Sequence, residues 1–276
     1  MTERLMKAWA YLSISLVLGV IAFLFVFVFV QGFGTVSWEF LTQPPRGAVL
    51  GEAGGIFPAI VGSLCFTGVA VLLASPLAVA TALYVVFYSK SRRGAALIRL
   101  AVQCMSGMPS IVLGLFSYSF LVRDLGLGRC ILSASSALAV MILPFIEVRA
   151  EKAFRELPPE MIACSRALGC SRGYTALKLA LPACAGELVS GMILGGCYAM
   201  GATAPLMFTG GVAYASVPNS LMAPAMALPL HLYLLLAQGA TSMGTAYGTA
   251  FVMMVLILAS NLLATVYERR RKWKLS

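Results

Sequence analysis

Long apolar stretches, each closed by a short polar or Gly/Pro-bearing segment, set the rhythm of this chain. The first runs from about Ala8 to Val30, and Gly32 to Gly55 then turns polar and reads as a loop. The second, Ile56 to Tyr88, would be roughly 50 Å long as a straight helix, against a hydrocarbon core of about 30 Å. It is expected to tilt, kink at Pro76 or project into water. The third, Ala95 to Val122, is interrupted by Gly107-Met108-Pro109-Ser110. The fourth covers Cys130 to Glu147 with Pro144 near its end, the fifth Ala183 to Phe208, and the sixth Thr245 to Val266. Between the last two, Thr209 to Met243 is rich in Gly and Pro, and its apolar middle is too short to cross a bilayer. A re-entrant or interfacial segment is expected there, tolerated where it packs on protein. The pattern predicts an all-α polytopic membrane protein with six transmembrane helices. An N-terminal helix and outer loop fill 1–55, and a core of five helices fills 56–276.

Composition supports this class. The chain is 60% hydrophobic and 11% charged, where a soluble domain carries about 25% charged residues. A net charge of +10 would suit a nucleic-acid partner. The bases, however, sit in short clusters between apolar runs, as in proteins that use charge to fix their orientation in a membrane. With six crossings, all of the 20 Lys and Arg except Arg46, Arg123 and Arg129 fall on the side of the termini. That bias puts both termini in the cytoplasm, and a seventh crossing would send the C-terminal basic cluster outside. The first apolar run is too long for a signal-peptide core and reads as a retained anchor. Seven cysteines form no C-x-x-C pair and mostly lie in apolar segments, where Cys acts as a small hydrophobe. One His, one Asp and no His-Glu-x-x-His give an intramembrane enzyme nothing to work with, and His231 alone holds no metal. No Gly-x-x-x-x-Gly-Lys-Ser/Thr loop is present, so the chain has no phosphate-cradling nucleotide site of that kind.

The charged stretch from Arg149 to Lys178 breaks the rhythm. Pro158 and Pro159 stop the preceding helix. Glu160 to Leu168 is expected to form a helix, Gly169 to supply its left-handed terminus, and Ser171 to cap a second helix ending by Pro182. From these residues alone the hairpin is either a surface element held at anionic headgroups or a docking knob for a cytoplasmic partner.

The segment Ala163-Cys164-Ser165-(three residues)-Gly169-(nine residues)-Leu179-Ala180-Leu181-Pro182 resembles the EAA loop of bacterial ABC importer permeases in spacing, without the acidic residue. Further stretches are similar to the phosphate-specific permeases: Gly54 to Leu64, Gly107 to Phe116, Leu143 to Phe154, Leu157 to Met161 and Gly201 to Gly210. The last, with Ala227 to Leu235, resembles the PstA-type subunit. The resemblance implies the type I importer permease fold with a coupling loop at 149–182. It implies a site in the bacterial cytoplasmic membrane, a second, PstC-like permease, two PstB-like ATPase subunits that bind ATP and Mg, and a periplasmic PstS-like phosphate-binding protein. This chain would hold no cofactor. Ala163, Cys164, Ser165, Arg166, Gly169, Arg172 and Pro182 would form the contact to the ATPase, and the substrate would be phosphate.

A phosphate crossing hydrocarbon needs donors and positive charge to replace its water. Ser110 follows Pro109, where a helix start would favour an anion. Tyr198 and Thr203 lie five residues apart on the fifth span, not on one clean helical face. Arg149 and Glu151 stand where the fourth span leaves the membrane, and ionisable residues there are functional candidates. Glu187, at the base of the fifth span, is expected to pair with Arg149. The chain departs from the phosphate permeases where it matters most. Tyr198 and Ala202 stand where that family has Arg and Glu, and the family's basic residue in the fourth span falls at Val148, one step before Arg149. This leaves open a permease for another oxyanion, or a sensor or scaffold that keeps the permease fold.

Overall fold

The computed structural model describes residues 2–47, 49–89, 91–239 and 242–275. Lys90, from the expected basic clusters, and the side chains of Arg270, Arg271, Lys272 and Lys274 lie outside the described residues. The chain divides into two compact units. One holds the residues up to Phe57 together with Leu232–Val255; the other holds Pro58–His231 and the chain after Leu256.

In the first unit, α1 (Thr2–Phe33) is the first apolar run and α2 (Trp38–Thr42) a short turn capped by the Ser37 hydroxyl. The segment expected as plain loop also holds a two-residue antiparallel ladder, β1 (Pro45–Arg46) against β2 (Ala53–Gly54). Within this unit, Phe27, Phe29 and Phe33 of α1 stack edge-on against Tyr247 and Phe251. Leu50, Leu235 and Ala246 form a small buried cluster, and the Ser242 hydroxyl donates to the Leu50 carbonyl at 2.8 Å.

The second unit is organised around one long helix. It contains α3 (Phe57–Leu83, from Pro58 on), ending in a wide turn at Tyr84–Tyr88; α4 (Arg92–Ser106); and α5 (Ser110–Ser117), ending in a similar turn to Asp124. There follow α6 (Ile131–Arg155), α7 (Pro159–Ala167), α8 (Arg172–Tyr174) with a wide turn to Ala180, and α9 (Leu181–Ala183). Then come α10 (Ala185–Met200), α11 (Ala204–Thr209) and the start of α12 (Leu228–Ala237, up to His231); the part of α13 (Met243–Leu275) from Leu256 on also belongs here, and the rest of both helices to the first unit. Gly195 of α10 leaves room for Ile146 of α6, and Gly191 lies against the stem of Arg149. Small residues at such a contact let two helices approach where hydrophobic drive between them is weak. The first amides of α6 are satisfied from outside it: Cys130 donates to Thr209, Ile131 to Ala223 and Leu132 to Leu221. The Gly- and Pro-rich stretch thus serves as the N-terminal cap of α6.

Four helices among the described residues are long and apolar enough to cross a membrane, or six if each of two bent pairs is one span. The third run is one of these pairs: α4 meets the α5 segment at 96°. The interruption expected at Gly107–Ser110 is thus a sharp bend. Pro109 cannot continue the α4 hydrogen bonds, and α4 carries Arg92, Arg93, Arg99 and Gln103, which would be costly in hydrocarbon. α6 continues beyond its apolar span through Arg149 and Glu151 to Arg155 and ends before Pro158, the stop expected from the sequence. Two boundaries differ from expectation. The second hairpin helix does not end by Pro182; it continues through that proline to Ala183, with the wide turn Thr175–Ala180 directly before it. The direction changes at Cys184 instead, by 68° into α10. α11 is separated from α10 by a break at Gly201, so the fifth run is not one helix.

The start of α12 is pinned to α3. The Leu228 amide donates to the Ser63 hydroxyl at 2.7 Å, fully buried, and Gly62 lies against the Met226 carbonyl with no space for a Cβ. Ser63→Ala strands that amide without water. The expected cost is about 1–3 kcal/mol, read as a lower Tm in detergent. Ser136→Ala removes a hydroxyl that only returns to the Leu132 carbonyl of its own helix, and serves as the near-neutral control.

Candidate functional site

The site is built on the second half of α6, where every side of the helix meets a different neighbour. Facing α5 and α10, a cavity of about 420 Å³ is lined by Ser106, Met108, Ser110, Phe145, Arg149 and Tyr198 among others. Among the described residues, Arg149 is the only charged one in its wall. The Arg149 guanidinium sits 4.8 Å above the centre of the Phe145 ring, one turn back on the same helix. Tyr198 of α10 stacks on that ring as well, with centroids 6.2 Å apart and planes 20° from parallel. An arginine over an aromatic face is attracted by the ring's quadrupole. Ser110 opens α5 behind Pro109, with no side chain capping the helix start. Three candidates named from the sequence, Ser110, Arg149 and Tyr198, therefore share one wall. Val148 lines the same cavity.

Glu151 belongs elsewhere. It points toward α4, where its carboxylate accepts from Arg99 (Nε 3.0 Å, Nη2 2.8 Å) and from Arg155 (Nε 2.6 Å). Its cavity, about 400 Å³, is walled by Arg99, Glu147, Glu151, Lys152 and Arg155 among others. Thr203 lines neither cavity; it precedes α11, and its carbonyl accepts from Met207. Arg149 and Glu187 do line one common cavity, a smaller one shared with Lys152, Glu156, Ser190 and Glu268.

The hairpin forms a second site. Gly169 closes α7 with φ of +77°, a backbone that favours glycine. The Ser171 hydroxyl accepts from the Tyr174 amide at 3.2 Å, capping the second helix. On the inner side, the buried Ser165 and Thr175 hydroxyls are 2.8 Å apart and hold the two arms together. Ala176 and Ala180 then sink into a core with Phe87 of the α3 end, Ala150, Ala153 and Phe154 of α6, and Leu188 of α10. On the outer side Ala163, Cys164, Arg166, Leu168, Gly169, Arg172 and Pro182 are exposed, Leu168 by 83%. Ser165, expected on the contact face, faces inward.

Phe145 and Arg99 are not legible as site residues in the sequence pattern used above. Phe145 could have been found, since it lies four positions before Arg149 on a helix and such pairs meet. Arg99 is 52 positions from Glu151 and leaves no mark in the sequence.

Comparison with known proteins places this arrangement. Residues 74–273 match the family model "binding-protein-dependent transport system inner membrane component". The chain is 33% identical over 207 residues to the probable phosphate transport system permease protein PstA of Methanocaldococcus jannaschii, covering 75% of this chain and 73% of that protein. It is 30% identical over 225 residues to the phosphate transport system permease protein PstA 1 of Mycobacterium tuberculosis H37Rv, covering 80% and 73%. It is 26% identical over 277 residues to the probable ABC transporter permease protein YqgI of Bacillus subtilis, covering 95% and 94%. Among solved structures, a chain of the inward-facing MetNI methionine ABC transporter superposes with a TM-score of 0.62 at 18% identity, covering 77% of this chain and 94% of that one. A chain of a bacterial ABC transporter involved in alginate import gives 0.59 at 16%, covering 94% and 96%. These two carry the fold alone. The chain belongs to the family of binding-protein-dependent transport system inner membrane components.

Proposed function

We propose that this chain is one half of the membrane path of a heteromeric ABC importer for inorganic phosphate. Its partners are a second, PstC-like permease, two PstB-like ATPase subunits that bind ATP and Mg, and a PstS-like phosphate-binding protein outside the membrane. Both termini and the hairpin face the cytoplasm. The chain catalyses nothing itself. The observation that carries the reading is the Arg149 cavity: among the described residues its wall has one cation, no carboxylate, hydroxyls of Ser110, Ser106 and Tyr198, and otherwise apolar groups. Such a wall selects for an anion and releases it, because a single arginine offers attraction without a closed cage. The cavity holds no feature that distinguishes phosphate from other tetrahedral oxyanions. Tyr198 in place of the family's arginine gives specific support to a second reading, a permease for another oxyanion.

The hairpin supports the coupling half of the proposal. Its outer face combines Arg166 and Arg172 with exposed Leu168, Tyr174 and Leu177, an apolar and basic surface suited to a protein groove. Its inner face is packed into the ends of α3, α6 and α10. A push on the knob therefore reaches those helices through close-packed side chains rather than a flexible linker.

Two outcomes are expected of the complex purified by a tag on this chain. Arg149→Ala lowers phosphate uptake about 10- to 100-fold, the loss of one charge-assisted contact of ~1.5–3 kcal/mol, while Arg149→Lys keeps part of it. Labelled phosphate uptake in vesicles, with sulfate and molybdate as competitors, measures this. Unchanged uptake in Arg149→Ala would remove Arg149 from the path; no phosphate-stimulated ATP hydrolysis in the wild-type complex would favour a sensor or scaffold. Separately, Leu168→Glu with Arg166→Glu is expected to abolish co-purification of the ATPase without changing the Tm of the chain. Retention of the ATPase would overturn the coupling role of the hairpin.

A further inference from the structure

The α4–α6 contact has an imbalance that the transport reading does not account for. Glu147 and Glu151 lie four residues apart on α6, on one helical face, and line the same cavity against α4. Their surroundings are unequal. Glu151 has two cations, and both crowd one oxygen: Arg99 at 2.8 Å and Arg155 at 2.6 Å from Oε1. Glu147 is 1% exposed, and its Oε1 is buried with no hydrogen-bond partner among the described residues. A carboxyl oxygen buried without a donor carries a desolvation cost that Arg99, in range but bonded to Glu151, offsets only in part. Arg155 is on α6 itself, four residues after Glu151, and can satisfy Glu151 alone. Arg99 comes from α4, is half-exposed, and is the cation in electrostatic range of both carboxyls.

We propose that Glu147 is a second berth for Arg99. In the conformation seen here Arg99 sits on Glu151; in the other end-state of the cycle it moves along α6 by about 6 Å, the rise of four helical residues, and pairs with Glu147. Arg155 keeps Glu151 neutralised meanwhile. Neither state then leaves the arginine unpaired, and α4 has two discrete positions against α6 rather than a continuum. The step lies beside the hairpin's seat, since Ala150, Ala153 and Phe154 of the same stretch of α6 pack on Ala176 and Ala180. Glu147 is thus a positioning residue, acting on α4 through Arg99. This goes beyond the proposed function and depends on neither the cargo nor the partners' identities.

The test uses Arg99→Lys in the tagged full chain, purified with whatever binds it. A membrane-permeant carbodiimide joins the introduced amine to the carboxylate it touches, and peptide mass spectrometry reads which one. At rest the link from position 99 to Glu151 is expected to dominate. Trapping with ATP and vanadate is expected to raise the ratio of Glu147 links to Glu151 links about tenfold, a shift of about 1.4 kcal/mol. An unchanged ratio on trapping overturns the proposal. If no ATPase accompanies the chain, the proposed function fails, and a second variant still decides the berth. With Glu151→Gln added, the lost link should be replaced by one to Glu147, and adding Glu147→Gln should abolish that one too. A chain whose introduced amine forms no link to Glu147 after Glu151→Gln has no second berth.

Discussion

Charge in a low-dielectric setting must be paired, stacked or brought to water, and the second half of α6 meets that demand for Arg149, Glu151 and Lys152 while leaving the buried Glu147 Oε1 without a donor among the described residues. Arg149 is laid on the Phe145 ring, Glu151 is held between two guanidinium groups, and Lys152 reaches Glu156 at 3.7 Å. Each solution recruits a different neighbour. The ring stack brings α10 in through Tyr198, and the Glu151 network brings α4 in through Arg99. The apolar turns between them bury Ala150, Ala153 and Phe154 under the hairpin. The placement of these charges agrees with the rotation set by Ile146 against Gly195 and by the Ser135 hydroxyl on the Phe66 carbonyl, and with it which residues line the cavity and which seat the knob.

The same helix explains why a knob made of two short helices can be rigid. Neither α7, with nine residues, nor α8, with three, would persist alone in water. They are held by the Ser165–Thr175 hydroxyl pair, by the Ser171 cap, and by small residues that let the second arm sink against Phe87 and Phe154. Ser and Thr at the two buried positions are polar enough to fix the arms in register and small enough to fit beneath them.

Most of the fold is legible in the sequence because bilayer crossing imposes length and hydropathy at once. The apolar runs locate the spans, and the Pro-Pro, Gly169 and Ser171 signals locate the hairpin within a residue or two. What stays hidden depends on partners distant in sequence. The sharp bend between α4 and α5 reads from the sequence as a mere interruption, because hydropathy averages Arg99 and Gln103 with their apolar neighbours. The end of α6 is legible by contrast: Pro158 and Pro159 mark where it must stop, and its paired charges let the helix continue to Arg155. In the site, Ser110, Arg149 and Tyr198 converge, but Thr203 does not, and Glu151 faces the other way. Two residues apart on a helix means about 200° of rotation, which is enough to send Arg149 and Glu151 into separate cavities.

That geometry also bears on the departure from the phosphate permeases at Val148. A one-residue shift of a basic group along a helix turns its Cβ by about 100°, which in most settings would carry the charge out of the site. Here Val148 and Arg149 both border the Arg149 cavity, since the gap between α5 and α10 is wide enough to expose two adjacent positions of α6. Gly191 opposite takes the arginine stem without a clash, and Phe145 catches the guanidinium from below. The cation reaches the cavity from a different anchor point. The second loss, arginine replaced by Tyr198, is of another kind. Tyr198 donates a stacking face to Phe145 and so holds Arg149's platform in place, exchanging a second positive charge for a fixed orientation of the first. Among the described residues the cavity wall therefore carries one arginine against an aromatic face rather than two cations.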